Sequence, residues 1–260
     1  MVLRVDRQVQ VYPDLTAASR ALADEVVRCA AESVRERGRF RWVISGGRTP
    51  LALFQLLAGS PGRRMPWGAT EVFFADERCV GPRDPDSNFG AAWAGFLSRV
   101  PIRRRQVHRM RGELRPPSRA ASEYAREIAG GRTPKDAAAP RFDLVLLGIG
   151  PDGHTASLFP NSPALRELRR SVVSVRRSGQ PPFVPRLTMT LPALRSSREV
   201  IFLVAGPDKA KAMRAIFNAS DAGSFEWPAS RVRPMGTVQW FVDRDAASAL
   251  PAAVTARPPS

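Results

Sequence analysis

An apolar run, Phe142 to Leu147, breaks without transition into Gly148-Ile149-Gly150-Pro151-Asp152-Gly153-His154. A run that is apolar on both faces suits the middle of a parallel sheet, where helices cover each side. Two further segments follow the same pattern. Phe40 to Ile44 stops at Ser45-Gly46-Gly47, and Glu71 to Ala75 stops at Asp76-Glu77-Arg78. In open α/β sheets, ligands gather beyond the carboxyl ends of the strands. If these three strands lie parallel, their turns meet along one edge of the sheet.

Between and around these strands the pattern is helical. Leu15 to Arg37 carries Leu22, Val26, Val27, Ala30 and Val34 at helical spacing and stops at Gly38. A second helix starts at Pro50, with Leu51, Phe54, Leu57 and Ala58 on one side. Asp76 to Asn88 reads as a polar, Pro-rich loop, followed by helical stretches near Phe89–Arg99 and Ser118–Ala129. Gly130 to Arg141 is small and polar and reads as a surface connection. Val172–Val175, Leu187–Thr190, Val200–Ala205 and Val238–Val242 are predicted strands, and Asp208 to Phe217 a helix. Strands and helices alternate with no compositional break. That pattern predicts one α/β domain over residues 1–260 around a largely parallel sheet, with 256–260 as a frayed tail. A chain of this length buries roughly 70–75% of its unfolded surface, so the core needs no disulfide or metal staple.

Composition narrows the function classes. No apolar run approaches the roughly eighteen residues of a membrane span, and MVLRVDRQVQ carries charges where a signal peptide needs an apolar stretch. Cys29 and Cys79 form neither a metal spacing nor a disulfide framework, so a cytoplasmic protein is expected. Forty basic against twenty-four acidic residues give a net charge of +16. Such an excess suits a nucleic-acid binder or a field that steers a phosphorylated substrate. Only Lys135, Lys209 and Lys211 are lysines, a skew towards arginine that codon usage can also produce. The densest stretch, Arg99 to Arg119, lacks interleaved aromatics for base stacking and reads as a solvated face. No nucleic-acid or membrane partner is expected.

The turns carry the candidate chemistry. In Ser45-Gly46-Gly47-Arg48-Thr49-Pro50, Thr49 is a candidate N-cap and Pro50 a candidate first helical residue. Free amides there make a phosphate cradle; a tight turn that needs glycine for its angles is the alternative. His108 and His154 are the only histidines. His154 follows a buried strand with Asp152 two residues earlier. The pair fits a general base with an orienting carboxylate, or a turn histidine capping the next helix. His108, in the Arg-rich region, is expected to be exposed. With no second His or Cys cluster, no metal is expected, and no Gly-x-Ser-x-Gly elbow activates a serine. Arg186 and Lys209 each read either as a surface cation or as positive charge at the same sheet edge. Asp76 and Arg78 read either as an ion pair in a polar turn or as catalytic groups.

Taken in order, SGGRTP, FFADERCVGPRDPDSNFG, DLVLLGIGPDGHTASLFP, RLTMTLPAL and IFLVAGPDKAKAM resemble the 6-phosphogluconolactonases, relatives of the glucosamine-6-phosphate isomerase/deaminase superfamily. Pro228 to Ser230, Trp240 and Asp243 fit as well, so the resemblance spans Ser45 to Asp243. It implies a Rossmann-like three-layer α/β/α fold. The implied reaction is hydrolysis of 6-phospho-D-glucono-1,5-lactone to 6-phospho-D-gluconate in the oxidative pentose phosphate pathway. The isomerase pattern Gly-His-Ile-Ala-Phe-Asn-Glu-Pro is replaced here by Gly153-His154-Thr155-Ala156-Ser157-Leu158-Phe159-Pro160. Phe159 stands where isomerases carry the glutamate that assists ring opening, and a phenyl ring exchanges no proton. The lactonase branch is therefore favoured, with the isomerase as the enzymatic alternative. Arg48 departs from the small residue common at its place, Pro151 stiffens its turn, and Arg195 replaces a frequent Asn.

On this reading the Ser45-to-Thr49 turn, chiefly the Gly46 and Gly47 amides, holds the substrate phosphate, with Arg48, Arg186 and Lys209 adding charge. His154 is the general base, Asp152 orients it, and Arg78 stabilises developing negative charge. Asp76 holds Arg78 or a substrate hydroxyl. The expected partner is a small phosphorylated sugar lactone, no cofactor or metal is expected, and the protein is expected as a monomer or weak homodimer. A non-catalytic sugar-phosphate sensor is the alternative outside enzymology.

Overall fold

A computed structural model describes residues 7–130, 141–176, 180–218, 225–251 and 254. The chain opens with β1 (Arg7–Tyr12), α1 (Leu15–Arg37), β2 (Phe40–Ile44) and α2 (Leu51–Leu57). It continues through β3 (Thr70–Phe74), β4 (Asp76–Arg78), α3 (Asn88–Gly95), β5 (Val107–His108) and α4 (Pro117–Ile128). Then come β6 (Leu144–Leu147), β7 (Val172–Val175), β8 (Arg186–Met189) and α5 (Leu191–Arg195). The last elements are β9 (Glu199–Val204), α6 (Ala210–Asn218), β10 (Thr237–Asp243) and α7 (Arg244–Ala247).

Seven strands form one sheet in the order β1-β10-β9-β6-β2-β3-β5, and each pairing in it is parallel. From β2 the chain steps outward to β3 and β5, then returns to the other side of β2 as β6 before stepping to β9 and β10. The order reverses between β2 and β6, where a crevice opens in such sheets. β6 is buried along its whole length, as expected of a strand covered on both faces.

Two neighbouring residues of β2 show the layers. Trp42 meets Phe54 of α2 edge-on at 6.5 Å, on the side where α1 also packs against α2. Arg41 turns to the opposite face, donates to Ile128 O at the end of α4 at 2.8 Å, and lies over the Phe73 ring at 4.8 Å. Helices therefore cover both faces of a largely parallel sheet, the fold class expected from the sequence. In the core, Phe202 stacks on Trp240 with centroids 4.0 Å apart. Among the described residues no helix is long and apolar enough to cross a membrane.

Local signals explain the best-matched element. α1 begins and ends where its sequence says: Asp14 accepts the Ala17 N–H at 2.8 Å, and Gly38 closes it in the left-handed conformation at φ 72. Other boundaries shift. Thr49 caps nothing, because α2 starts at Leu51 with Pro50 in the cap position and no side-chain cap bond. Lys209 ends a short 3₁₀ turn, Pro207–Lys209, ahead of α6. The connection at residues 131–140 and the tail at 256–260 lie outside the described residues.

The largest departure from expectation is a second sheet. Asp76–Arg78 is no loop but a strand, antiparallel to β8, which pairs in turn with β7. Ala75 joins the two sheets: its N–H donates to Ile44 O at 2.9 Å and its carbonyl accepts from Met189 N at 2.8 Å. The polar sequence Asp-Glu-Arg conceals this strand because Glu77 is buried, at 2% exposure. Its carboxylate accepts the N–H groups of Arg78, Asn88 and Phe89 and the Ser87 hydroxyl. Burial pushes the Glu77 carboxyl above its ordinary range, against the pull of those backbone bonds.

His108 is also corrected. It stands on β5, stacked on Phe73 at 4.4 Å, with Nδ1 2.8 Å from Glu127 and Nε2 3.6 Å from Glu71. Burial works against its charge, but hydrogen bonds and charge from Glu127 and Glu71 outweigh it, and its pKa is pushed up to about 9. A raised folded-state pKa stabilises fully below the unfolded value near ~6.5 and is lost as pH rises through the folded value. Between pH 6 and pH 10 the protein should therefore lose about 1–3 kcal/mol of stability at this site, allowing for solvent screening of the part-exposed glutamates. Urea unfolding across that range checks it, with His108→Gln removing this part of the pH dependence.

Candidate active site

The strand ends of the parallel sheet and the edge of the antiparallel one enclose a cleft of about 340 Å³. Ser45, Gly46, Gly47, Arg48, Thr49, Asp76, Arg78, His154, Arg186 and Lys209 all line it. Asp152 stands behind His154 rather than on the wall. Side chains read from segments far apart in sequence are thus brought together.

The first wall is the turn after β2. Ser45 is buried, and its hydroxyl donates to Leu146 O at 2.9 Å, tying the end of β2 to β6. A Cβ on Gly46 would fall 1.9 Å from Asn88 Oδ1, and Gly47 sits at φ 95, so packing demands the first glycine and backbone conformation the second. Arg48 is exposed at the rim. The Lys209 ammonium is 2.7 Å from Asp208, so its charge arrives already paired.

The second wall is the turn after β6. Gly150 N–H donates to His154 O, and Gly153 N–H to Gly150 O, both at 2.9 Å. The His154 ring and the Asp152 carboxylate fold back over Gly150. A Cβ there would lie 2.0 Å from His154 Nδ1 and 2.6 Å from Asp152 Oδ1. Asp152 Oδ1 and His154 Nδ1 are 2.5 Å apart. Burial opposes the Asp152 charge, yet the hydrogen bond and charge of His154 prevail and hold its carboxyl below the usual range. An ionised carboxylate only accepts, so Nδ1 carries the proton in this bond and Nε2 is the nitrogen left to act. Phe159 packs against the imidazole with centroids 4.7 Å apart.

The third wall belongs to the small sheet. Arg78 and Arg186 stand directly opposite each other in the β4–β8 register, a pairing of like charges that costs stability. Arg186 is 4% exposed. Its Nη2 donates to the carbonyls of Gln180, Pro181 and Pro182 at 3.0–3.2 Å. Arg78 Nη1 donates to Asp86 O at 2.6 Å. In both, Nε is buried without a partner, and among the described residues neither arginine forms an ion pair. Burial disfavours the Arg186 charge, and the nearby Asp76 charge supports it. Asp76 does not pair with Arg78; it accepts from Asn88 Nδ2 at 3.1 Å and from Ser157 Oγ at 2.6 Å. Asn88 and Ser157 received no role from the sequence, although both lie inside the quoted motifs.

The family of glucosamine-6-phosphate isomerases and 6-phosphogluconolactonase matches residues 13–240. The chain belongs to this family. A 6-phosphogluconolactonase of Streptomyces coelicolor is 38% identical over 250 residues, covering 94% of this chain and 95% of its own. One from Mycobacterium tuberculosis is 37% identical, covering 94% and 98%. Among solved structures, a 6-phosphogluconolactonase from Thermotoga maritima superposes with a TM-score of 0.79 at 30% identity, covering 92% of this chain and all of that one. A monomeric glucosamine-6-phosphate deaminase, 21% identical with a TM-score of 0.74 over 93% of this chain, shares the fold.

Arg78 and Arg186, opposed across the small sheet, each keep a buried Nε donor unspent, and an anion is the chemical group such donors suit. Inorganic phosphate should therefore stabilise the protein, by about 2.7 kcal/mol at a hundredfold excess over its Kd. Thermal unfolding with increasing phosphate checks this, and Arg186→Met should abolish most of the shift.

Proposed function

We propose that this protein hydrolyses 6-phospho-D-glucono-1,5-lactone to 6-phospho-D-gluconate, with His154 as general base, a step of the oxidative pentose phosphate pathway. The observation that carries the reading is the short Asp152–His154 pair beside a cleft that His154 lines together with two arginines free of ion pairs among the described residues. The 6-phosphogluconolactonase names of the relatives support the same chemistry.

In this mechanism the Gly46 and Gly47 amides, Arg186 and Lys209 hold the phosphate, and that remote anchor positions the lactone carbonyl. Nε2 of His154 takes a proton from water as the water oxygen bonds to the carbonyl carbon. Asp152 steadies the imidazolium that results. Negative charge gathering on the carbonyl oxygen is met by Arg78, whose Nε is buried without another partner and so needs no rearrangement at the moment of reaction. Collapse of the tetrahedral species breaks the bond to the ring oxygen, and the imidazolium returns its proton there. Phe159 supports the lactonase reading over the isomerase one, because the position beside the imidazole holds a ring with no proton to exchange.

His154→Ala should lower kcat by roughly 10²–10⁴-fold without unfolding the protein. Hydrolysis of freshly generated 6-phosphogluconolactone, corrected for spontaneous ring opening and run beside glucosamine 6-phosphate, measures it. Near-normal kcat in the variant removes His154 from the role. Lys209→Ala should raise KM with little change in kcat, as a contact made equally in ground and transition states does.

A further inference from the structure

Asp76 gives both carboxylate oxygens to donors that the reaction above does not use. Oδ2 accepts from Ser157 Oγ at 2.6 Å, and Oδ1 from Asn88 Nδ2 at 3.1 Å, while the same amide also donates to Asp76 O at 2.9 Å. Asp76 is 6% exposed and lines the cleft, whereas Ser157 is fully buried. A serine hydroxyl has one proton to give, and here it is spent on a carboxylate. A bond of that kind is shorter and stronger than one between neutral groups.

The backbone is bent to deliver that hydroxyl. Leu158 N–H donates to Thr155 O at 2.9 Å, closing a turn that holds Ala156 at φ 48, in the left-handed region that favours glycine. Ser157 N–H then donates to Thr188 Oγ1 at 3.2 Å. Thr188 is the residue directly opposite Asp76 in the β4–β8 register. The turn is therefore moored to the strand pair that carries Asp76, Arg78 and Arg186. In the isomerase pattern the position of Ser157 is Phe, which has no proton to offer.

We propose that Ser157 is a positioning residue for the lactone reaction: with Asn88 it fixes the Asp76 carboxylate in one orientation, so that its remaining lone pairs accept a hydroxyl of the bound sugar. A carboxylate has about four lone-pair sites, and two of them are filled by these donors. Tethered on both oxygens, Asp76 reads the polyol rather than swinging to take a proton. The proposal rests on the lactonase reading and adds to it a determinant of sugar recognition.

The test is a double-mutant cycle on the full chain, with 6-phosphogluconolactone as substrate. Ser157→Ala should raise KM by roughly 10–100-fold, the size of a lost hydrogen bond to a charged group, with kcat nearly unchanged. Asp76→Asn should do at least as much, and adding Ser157→Ala to it should bring no further loss. If Ser157→Ala does not fold, Asn88→Ala reads the same coupling through the other oxygen. Unchanged KM, independent and multiplying effects, or a loss confined to kcat would overturn the proposal. A wild-type protein without lactonase activity removes the reaction and the proposal together; an active wild type with uncoupled variants removes the proposal alone.

Discussion

The parallel pairing of β2 with β6 governs the molecule. Trp42 lies beside Leu144 and Val43 beside Val145, and from that junction the chain runs to opposite edges of the sheet. Two neighbouring strands that end on the same side must release their turns into the same space. Neither turn then has a helix directly above it, and the crevice follows from topology before any side chain is considered. The Ser45 hydroxyl bond to Leu146 O locks the junction where it opens.

Charge in the cleft is arranged at a cost to stability. Arg78 facing Arg186 repels, and each keeps a buried Nε without a partner. Backbone carbonyls supply part of the lost hydration, three of them to Arg186 alone. Carbonyls are dipoles and do not neutralise a cation, so the guanidinium charge stays available to an anion. The imidazole wall works the other way: Asp152 lies close to His154 and is shielded from the cleft by it. The cleft is thus polarised, with cations that form no ion pair among the described residues on one sheet and a carboxylate-paired imidazole on the other.

Much of this was legible in the sequence because the parallel sheet announces itself by apolar runs that end in glycine. β2 and α1 fall where periodicity and caps put them. β1 and β5 escaped, the first because Gln8 and Gln10 interrupt its apolar pattern at a sheet edge, the second because it has two residues. β4 was hidden by its charge, since nothing local says that Glu77 will be buried among backbone N–H donors. His108 looked exposed among arginines because its partners, Glu71 and Glu127, come from other elements. The residues that line the cleft were legible as a group because they sit in the motifs. Asn88 and Ser157 lay within those motifs too, but their bonds to Asp76 exist only once the two sheets meet.

Ala75 is a single peptide shared between two ladders, with its N–H in one and its carbonyl in the other. Adding or removing one residue at this weld would slip one ladder against the other by about 3.3 Å and turn alternate side chains to the wrong face. The spacing between the imidazole and the arginines is therefore quantised by the backbone. A lineage adapting this scaffold to a longer or shorter ligand could not stretch the cleft at its seam, and would have to work through the rim residues instead.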